Sequence, residues 1–271
     1  MHEEILSNPK AARVKRAAAL ARKKDRREQG RFLVEGPQAV RELLAHRADL
    51  AETVYASLGN EPWQHEVDRL ASDAGVRVER ATEDVIAAMS ETVNPQGVVA
   101  VARTWESDLA RVLTGARLVA IMHEVRDPGN AGAVLRAADA AGADAVIFAG
   151  ESIDPFHPKV VRSTTGSLFH LPVVVAGSLG EAVDAAREAG LAALAADVRG
   201  ADLLEAREEG ALARPVAWVF GNEARGLSEA DRALADRSLK LPIYGAAESL
   251  NLATAASVLI YETAFAQRQG R

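Results

Sequence analysis

The chain has 271 residues, 48% of them hydrophobic, and can therefore bury a sizeable core in one large or two modest domains. It has no cysteine, which excludes disulfides, thiolate zinc sites and cysteine nucleophiles, and its six histidines show no metal-ligand spacing. The absence of cysteine also fits the cytoplasmic protein that we expect. No apolar run is long enough to cross a bilayer, and the N-terminus is charged rather than signal-like.

The positive charge is concentrated at the N-terminus. Residues 1–31 hold ten Lys and Arg against four Asp and Glu, a balance of +6, whereas the whole chain carries −6. Alanine-rich spacing predicts a helix over residues 3–24 and a charged connector at 25–31, so residues 1–29 are interpreted as a basic helical arm. A basic arm on an acidic body is typical of proteins that contact a phosphate backbone, although a solvated helix face with mixed ion pairs has the same composition.

Short strands and helices alternate over residues 30–104 and predict a compact first α/β domain. Pro37 begins the first of these helices, at a position where proline is favoured. Residues 105–116 are polar with a weak helical stretch, and we place a linker there. The predicted strands are 32–36, 54–57, 76–78 and 98–102, and the predicted helices are 37–45, 62–74 and 82–89.

Residues 117–271 alternate apolar strands with helices, which predicts a parallel sheet covered on both faces. Ligands bind such sheets outside the carboxyl ends of the strands. The first strand lacks the following G-x-G-x-x-G turn, so an adenosine-type cofactor would not sit as it does in dinucleotide-binding proteins. The predicted strands are 118–122, 145–148, 173–175, 191–195, 216–220 and 239–241, and the predicted helices are 131–141, 159–167, 179–188, 201–207, 228–234 and 252–266.

Three strand-end loops of this second domain carry polar side chains among small residues. Glycine lets backbone amides and carbonyls approach a ligand closely. Each loop alone could be an ordinary turn before a capped helix, with Ser249 as a plausible N-cap, but together they predict a binding site at one edge of the sheet. The loops are Asp127-Pro128-Gly129-Asn130 with Arg136 after it, Phe220-Gly221-Asn222-Glu223, and Leu241-Pro242 with Ser249-Leu250-Asn251.

In their order and spacing, the three loops resemble the signature motifs of the SpoU-TrmH family in the SPOUT superfamily, RNA ribose 2′-O-methyltransferases that use S-adenosylmethionine. The resemblance covers residues 117–268 and implies a parallel-sheet α/β domain with a trefoil knot. Physical reasoning alone would not suggest the knot, because threaded chains are very rare. Residues 31–36 and the helix after them resemble the L30e-like α/β domain that precedes the catalytic domain in many SpoU-type enzymes and that binds the substrate.

The resemblance also implies roles for particular residues. Arg136 corresponds to the arginine essential for methyl transfer, and Asn130 and Glu223 orient the target ribose or Arg136. Ser249 and Asn251 assist substrate positioning. Each of these five also has a plain structural interpretation, as a salt bridge, a turn residue, a surface acid or a helix cap. The residues implied to hold the cofactor are Gly221, Asn222, Leu241, Ile243 and Leu250.

The chemistry of arginine argues against Arg136 as a general base, because a guanidinium group is effectively never deprotonated in proteins. Binding the phosphate next to the target ribose and stabilising the developing alkoxide suit it better. Asp197, after the predicted strand 191–195, is a further candidate for the pocket.

The resemblance implies several partners. The substrate is expected to be ribosomal RNA, most naturally 23S, with transfer RNA as the alternative. The family acts as a homodimer in which each active site draws on both chains, and the apolar helix 252–266 is the expected interface element. No metal and no membrane are expected to take part. A non-catalytic RNA-binding protein of the same fold is a further alternative, against which the intact polar motifs argue.

Overall fold

The computed structural model describes residues 5–269, and residues 1–4 and 270–271 lie outside the described part. The chain forms two compact units. The first comprises Met1–Trp105 with Phe156–His170, and the second comprises Glu106–Pro155 with Leu171–Arg271. Within the described residues, no helix combines the length and the apolar character needed to cross a membrane.

The strands and helices predicted after residue 31 are all present in the predicted order, with shifted ends. In chain order the elements are α1 (Ala12–Ala19), α2 (Lys23–Gln29), β1 (Arg31–Glu35), α3 (Pro37–His46), β2 (Ala51–Ser57), α4 (Pro62–Asp73), β3 (Arg77–Ala81), α5 (Glu83–Met89), β4 (Val98–Arg103), α6 (Leu109–Leu113), β5 (Leu118–His123), α7 (Pro128–Ala141), β6 (Ala145–Ala149), α8 (Pro158–Ser163), β7 (Val173–Ala176), α9 (Leu179–Glu188), β8 (Ala192–Asp202), α10 (Leu203–Glu208), β9 (Val216–Phe220), α11 (Glu229–Leu234), β10 (Arg237–Lys240) and α12 (Leu252–Arg268).

The prediction of one helix over residues 3–24 is wrong. In the described part of this range α1 covers only Ala12–Ala19, and α2 lies mostly where a connector was predicted. Residues 3 and 4 of the predicted helix lie outside the described residues. The guanidinium of Arg26 stabilises the break, because its Nη1 donates to the carbonyls of the two residues that follow α1, Leu20 at 2.9 Å and Ala21 at 2.8 Å. Val14 and Leu20 are buried in the core of the N-terminal unit, so this basic segment is packed onto that unit.

The N-terminal unit is built on a mixed four-stranded sheet in the order β1-β4-β2-β3. Only β2 and β3 are parallel, and β4 is antiparallel to both β1 and β2. Residues 156–170, predicted to lie in the second domain, pack with this unit. The Phe156 ring lies 4.9 Å from Phe32 and 4.7 Å from Trp105 between centroids, and Arg162 pairs with Glu35 at 3.4 Å. An aromatic cluster therefore holds this returning segment.

The C-terminal unit is built on a parallel six-stranded sheet in the order β10-β8-β9-β5-β6-β7. The central strand β5 is buried along five of its six residues, which explains its near-continuous apolar sequence. The predicted linker contributes α6, whose Leu113 is fully buried in the core of this unit. Because all six strands run in the same direction, the loops after β5, β9 and β10 leave the sheet at the same edge, which is formed by the carboxyl ends of the strands.

Strand β8 continues to Asp202 rather than ending at residue 195, but it is interrupted. Its pairing with β10 jumps from Ser238–Ala195 to Leu239–Ala201, so residues 196–200 bulge out of the ladder. Gly200 lies against the β10 backbone, where a Cβ would be 2.5 Å from the carbonyl of Ser238. The bulge brings residues 196–199 to the edge where the loops leave the sheet.

Strand β10 is the outermost strand of the sheet, and after it the chain returns to the middle of the sheet. Residues 241–251 lead into α12, which packs against α7, β5 and β9. The expected trefoil knot depends on this return of the C-terminal segment past earlier loops. The fold is therefore the expected one, an α/β unit with a parallel sheet preceded by a smaller α/β unit.

The contact between β9 and α12 rests partly on one buried hydrogen bond. Trp218 Nε1 donates to Thr263 Oγ1 at 2.8 Å, and both side chains are fully buried. We expect Thr263→Val, which keeps the shape, to lower the free energy of unfolding by about 1–3 kcal/mol because the indole N–H loses its acceptor. Thr263→Ser, which keeps the acceptor, should cost less. Urea unfolding followed by circular dichroism would compare them, and equal losses would contradict this assignment.

Candidate active site

The loop after β5 begins α7 with a side-chain cap. Asp127 is the N-cap, and its Oδ1 accepts a hydrogen bond from the Asn130 backbone N–H at 2.7 Å. Pro128 occupies the first turn, where a missing N–H costs nothing. The cap fixes the first turn, and with it the position from which the Asn130 side chain reaches the loop after β9.

Asn222 organises the loop after β9. Its Nδ2 donates to the carbonyl oxygen of Glu124 at 2.8 Å, and its Oδ1 accepts from the N–H groups of Ala224 at 3.0 Å and Arg225 at 3.2 Å. Its backbone carbonyl accepts from the Gly226 N–H at 2.8 Å. These bonds satisfy the backbone groups of a short irregular segment and tie it to the end of β5.

Glu223, Asn130 and Asn251, one from each predicted loop, form a hydrogen-bond chain. Asn130 Nδ2 donates to Glu223 Oε1 at 3.4 Å, and Asn251 Nδ2 donates to Asn130 Oδ1 at 2.9 Å. The Glu223 carboxylate also accepts from the N–H groups of Asp127 at 3.0 Å and Arg126 at 3.2 Å. The three predicted residues therefore meet at the sheet edge.

A cavity of about 350 Å³ lies at this edge, and Asn222, Glu223, Ala224 and Arg225 also line an adjoining cleft that reaches Asn130. The cavity wall comes from the loop after β9, the segment between β10 and α12, the first turns of α12 and the bulge in β8. The predicted residues that line the cavity are Gly221, Asn222, Glu223, Leu241, Ile243, Ser249 and Leu250.

The N-cap of α12 is Asn251, so the alternative interpretation of Ser249 as the cap is wrong. Asn251 Oδ1 accepts from the N–H groups of Ala253 at 2.9 Å and Thr254 at 3.2 Å. The same side chain reaches Asn130 through its Nδ2, which links the start of α12 to the start of α7. Ser249 is left exposed at the cavity wall.

Arg136 does not line the cavity or the adjoining cleft of its own chain. It lies on α7, six residues after Asn130, and its side chain is exposed. Within residues 5–269, no hydrogen bond or ion pair is made by this side chain, so the salt bridges considered from the sequence, to Asp127 or Asp139, are not formed. The guanidinium is therefore available to a ligand or to another chain.

The residues of the bulge in β8 were largely missed from the sequence. Residues 196–199 line the cavity, and of these only Asp197 was considered. These residues fall between the predicted strand 191–195 and the predicted helix 201–207, and no local pattern in them indicates that they reach the cavity. The jump in pairing that turns this run toward the cavity depends on β10, which is distant in sequence.

Asp197 is held by two arginines inside the cavity wall. Its side chain is 5% exposed, Arg199 donates to both carboxylate oxygens at 2.9 Å, and Arg232 lies 3.4 Å away. Both guanidinium groups also donate to the carbonyl of Leu227, at 3.3 Å and 3.0 Å. Asp197 thus ties the bulge to the segment after the β9 loop, which rigidifies one wall.

The hydrogen bonds from the Arg199 side chain, with smaller contributions from its N–H and from Arg232, lower the pKa of Asp197. A carboxyl group whose pKa is lower in the folded state stabilises that state above its unfolded pKa and loses this contribution as the pH falls through the folded value. The wild type should therefore have a larger free energy of unfolding than Asp197→Asn at neutral pH. This difference in free energy between the two proteins should decrease as the pH falls to about 3. Urea unfolding at several pH values would measure it, and a gap independent of pH would contradict this.

Two models of known protein families match separate parts of the chain. The model of the SpoU rRNA Methylase family matches residues 117–261, and that of the MRM3-like substrate binding domain matches residues 11–100. The second match begins within the basic segment, which agrees with the packing of α1 onto the N-terminal unit.

Named relatives align over nearly the whole chain. The 23S rRNA (guanosine(2553)-2′-O)-methyltransferase RlmP of Bacillus subtilis is 34% identical over 259 residues, which cover 94% of this chain and 97% of that protein. The 23S rRNA (uridine(2479)-2′-O)-methyltransferase of Streptomyces viridochromogenes is 33% identical over 266 residues, with 94% and 89% covered.

Solved structures show the same arrangement. The SpoU methyltransferase AviRb of Streptomyces viridochromogenes in complex with AdoMet aligns with a TM-score of 0.82 at 32% identity, covering 96% of this chain and 100% of that one. An AdoMet-bound rRNA methyltransferase of Sinorhizobium meliloti aligns with a TM-score of 0.81 at 30% identity, covering 96% and 97%. With its three motifs joined at one sheet edge and matches along nearly its whole length, the chain belongs to the SpoU rRNA methylase family.

Proposed function

We propose that the chain transfers a methyl group from S-adenosylmethionine to a ribose 2′-hydroxyl of 23S ribosomal RNA. The observation that carries this function is the meeting of Asn130, Glu223 and Asn251 beside a cavity lined by the same loops. The names of the relatives from Bacillus subtilis and Streptomyces viridochromogenes support the ribosomal substrate. Transfer RNA is the alternative substrate.

The cavity suits S-adenosylmethionine in size and character. Its volume of about 350 Å³ falls within the range of about 300–1,000 Å³ typical of small-molecule sites. Leu241, Leu250 and Leu259 supply an apolar wall for the adenine ring, and Gly221 leaves its backbone accessible. When bound, the cofactor supplies an electrophilic methyl group on a sulfonium. We assign the adenosine and methionine contacts to the backbone around Gly221, Asn222, Leu241, Ile243 and Leu250.

The hydrogen-bond chain can position the ribose. Two backbone N–H groups hold the Glu223 carboxylate, which in turn accepts a hydrogen bond from the side-chain amide of Asn130. Asn251 Nδ2 donates to the oxygen of the same amide, Asn130 Oδ1. We assign to Asn130, with Glu223 and Ser249 beside it, the task of holding the hydroxyl in line with the methyl group, because alignment removes a large part of the entropic barrier.

We assign to Arg136 the phosphate next to the target ribose and the charge that develops on the 2′-oxygen. A guanidinium binds phosphate with two parallel hydrogen bonds and keeps its charge, so it stabilises an oxyanion without acting as a base. Its exposure and its freedom from partners within residues 5–269 suit such a role. The reaction itself needs no metal.

We further propose a homodimer in which Arg136 of one chain serves the cavity of the other. Arg136 is exposed on α7, which packs against α12, and it does not line the cavity of its own chain. On α12, Val258 and Phe265 are 40% and 50% exposed, and Tyr261 lies between them on the same face. This apolar stripe is the proposed interface, since exposed apolar faces mark association sites.

Mixing two defective variants would test the shared site, at a concentration of S-adenosylmethionine too low to fill the weakened Gly221→Ala cavity. In a heterodimer of Arg136→Lys with Gly221→Ala, one of the two sites would combine an intact cavity with an intact Arg136. We expect the purified heterodimer to recover about half of the wild-type activity, as two-fold symmetry dictates. If each site used its own Arg136, both sites of the heterodimer would be defective and no recovery would be seen.

The choice of RNA is tested by methyl transfer to separated substrates. Purified protein and S-adenosylmethionine with a radioactive methyl group would be incubated with 23S rRNA, 16S rRNA and tRNA from cells lacking the gene. Label should enter the 23S fraction alone. Label in tRNA would favour the alternative substrate, and no label in any fraction would favour a binding protein. The N-terminal unit, with its basic α1 and α2, is the proposed RNA-docking part, and the cytoplasm is the proposed place of reaction.

A further inference from the structure

The N-terminal unit brings two histidines to one carboxylate. His46 Nε2 lies 3.4 Å and His170 Nε2 lies 3.3 Å from the same oxygen, Glu42 Oε2. Glu42 and His46 are one turn apart on α3, whereas His170 follows the 3₁₀ turn Ser167–Phe169 in the returning segment. No metal-ligand spacing is visible in the sequence because His170 is 128 positions from Glu42.

The two distances from the histidine nitrogens to Glu42 Oε2 match those expected around a shared cation. Ligands about 2.0–2.1 Å from a tetrahedral zinc ion lie about 3.3–3.4 Å from one another. All three candidate ligand atoms lie within 4.8 Å of one another. A direct charge-assisted hydrogen bond from imidazole to carboxylate would be shorter, about 2.7–2.9 Å. The other oxygen of Glu42 makes such a short bond, accepting from Gln38 Nε2 at 2.6 Å.

The carboxylate is already oriented toward the histidines. Glu42 Oε1 accepts from Gln38 and, at 3.3 Å, from Arg41, which leaves Oε2 facing the two imidazoles. The Arg41 guanidinium also donates to the side-chain oxygens of Glu66 and Gln38, so its positive charge is partly compensated. Gly166 lies so close that a Cβ there would be 2.3 Å from Glu42 Cγ. Such outer contacts orient ligands in metal sites.

We propose that Glu42, His46 and His170 bind a divalent transition-metal ion, zinc above all. Two imidazole nitrogens and one carboxylate oxygen are a zinc ligand set, and the half-exposed side of His46 leaves a fourth position open to solvent. The ion would join α3 to the returning segment 156–170. It would therefore stabilise the N-terminal unit and take no part in methyl transfer.

Zinc binding by the untagged full chain in metal-free buffer tests the site. Isothermal titration with zinc chloride should give one ion per chain, and His170→Gln and Glu42→Gln should each weaken the affinity at least about tenfold. His65→Gln is the matched control, because His65 is an exposed histidine of the same unit outside the cluster. It should bind zinc as the wild type does.

A second measurement guards against misfolded variants. His46 is half-exposed, so His46→Gln should fold, as circular dichroism would verify, and still lose zinc affinity. Zinc should raise the melting temperature of the wild type and of His65→Gln, but not that of His46→Gln. Wild-type binding no tighter than that of His46→Gln or His170→Gln would overturn the proposal and leave only an ion-pair cluster. The proposal would also be overturned if His65→Gln lost as much zinc affinity as His46→Gln and His170→Gln.

Discussion

Replacing Arg136 with lysine is expected to lower kcat/KM for methyl transfer by about 10²- to 10³-fold, a loss typical of removing one group that stabilises transition-state charge. Lysine keeps the positive charge but not the planar fork that binds a phosphate or an oxyanion with two hydrogen bonds. RNA binding should persist because the charge is kept. Affinity for S-adenosylmethionine should stay unchanged because Arg136 is assigned to the RNA phosphate and the 2′-oxygen, whereas the cofactor contacts are assigned to the loops that line the cavity.

The matched control is Arg214→Lys. Arg214 is an exposed arginine of the same unit, but it precedes β9 and so lies at the opposite edge of the sheet from the motif loops. Single-turnover methyl transfer with saturating cofactor would separate chemistry from binding for both variants. Wild-type turnover by Arg136→Lys would refute the role given to the guanidinium. Equal losses in both variants would show that the effect is not specific to position 136.

Replacing Gly221 with alanine is expected to weaken the binding of S-adenosylmethionine by about tenfold or more. A Cβ at this position would lie 2.6 Å from the backbone carbonyl carbon of Gly226 and 2.8 Å from Leu227 Cγ. The turn that Asn222 organises must therefore move, and overpacking of this kind costs about 1–3 kcal/mol. A tenfold change in affinity corresponds to about 1.4 kcal/mol, so displacing one cavity wall is sufficient.

Gly245→Ala provides the control for this substitution. Gly245 lies in the third motif loop, but nothing is within 4 Å of a Cβ built there. Isothermal titration with the cofactor should give wild-type affinity for Gly245→Ala and a weakened affinity for Gly221→Ala, while circular dichroism checks that both fold. Unchanged binding in Gly221→Ala would show that the loop after β9 does not form the cofactor site.

The alternation of strands and helices in the C-terminal unit could be predicted because its sheet is parallel. Parallel strands are buried on both faces, so the sequences of β5 and β9 are apolar runs that differ clearly from those of amphipathic helices. The same rule puts the loops after these strands at one edge, which is why Asn130 and Glu223 could be expected to meet.

The features that were not predicted depend on contacts between distant segments. The bulge in β8 arises from a change of pairing with β10, and nothing in residues 196–200 alone signals it. The packing of Phe156 against Phe32 is likewise non-local, so residues 156–170 could not be assigned to the N-terminal unit from sequence.

Side-chain roles within the third motif loop were also ambiguous in the sequence. Ser249 and Asn251 are both favoured helix caps, and only the structure shows that Asn251 caps α12 while it reaches Asn130. The two functions of one side chain explain why an amide, with a donor and an acceptor, occupies this position. The roles given to Ser249 and to the cofactor-contacting residues remain predictions.

Transfer of a methyl group to a ribose oxygen is tested most directly by mass spectrometry of nucleosides. Unmodified 23S rRNA would be incubated with the purified protein and S-adenosylmethionine carrying a deuterated methyl group, and then digested to nucleosides. We expect a 2′-O-methyl nucleoside bearing the heavy methyl, absent when the protein is omitted. A heavy methyl on a base, or no heavy nucleoside despite bound cofactor, would contradict the proposed reaction.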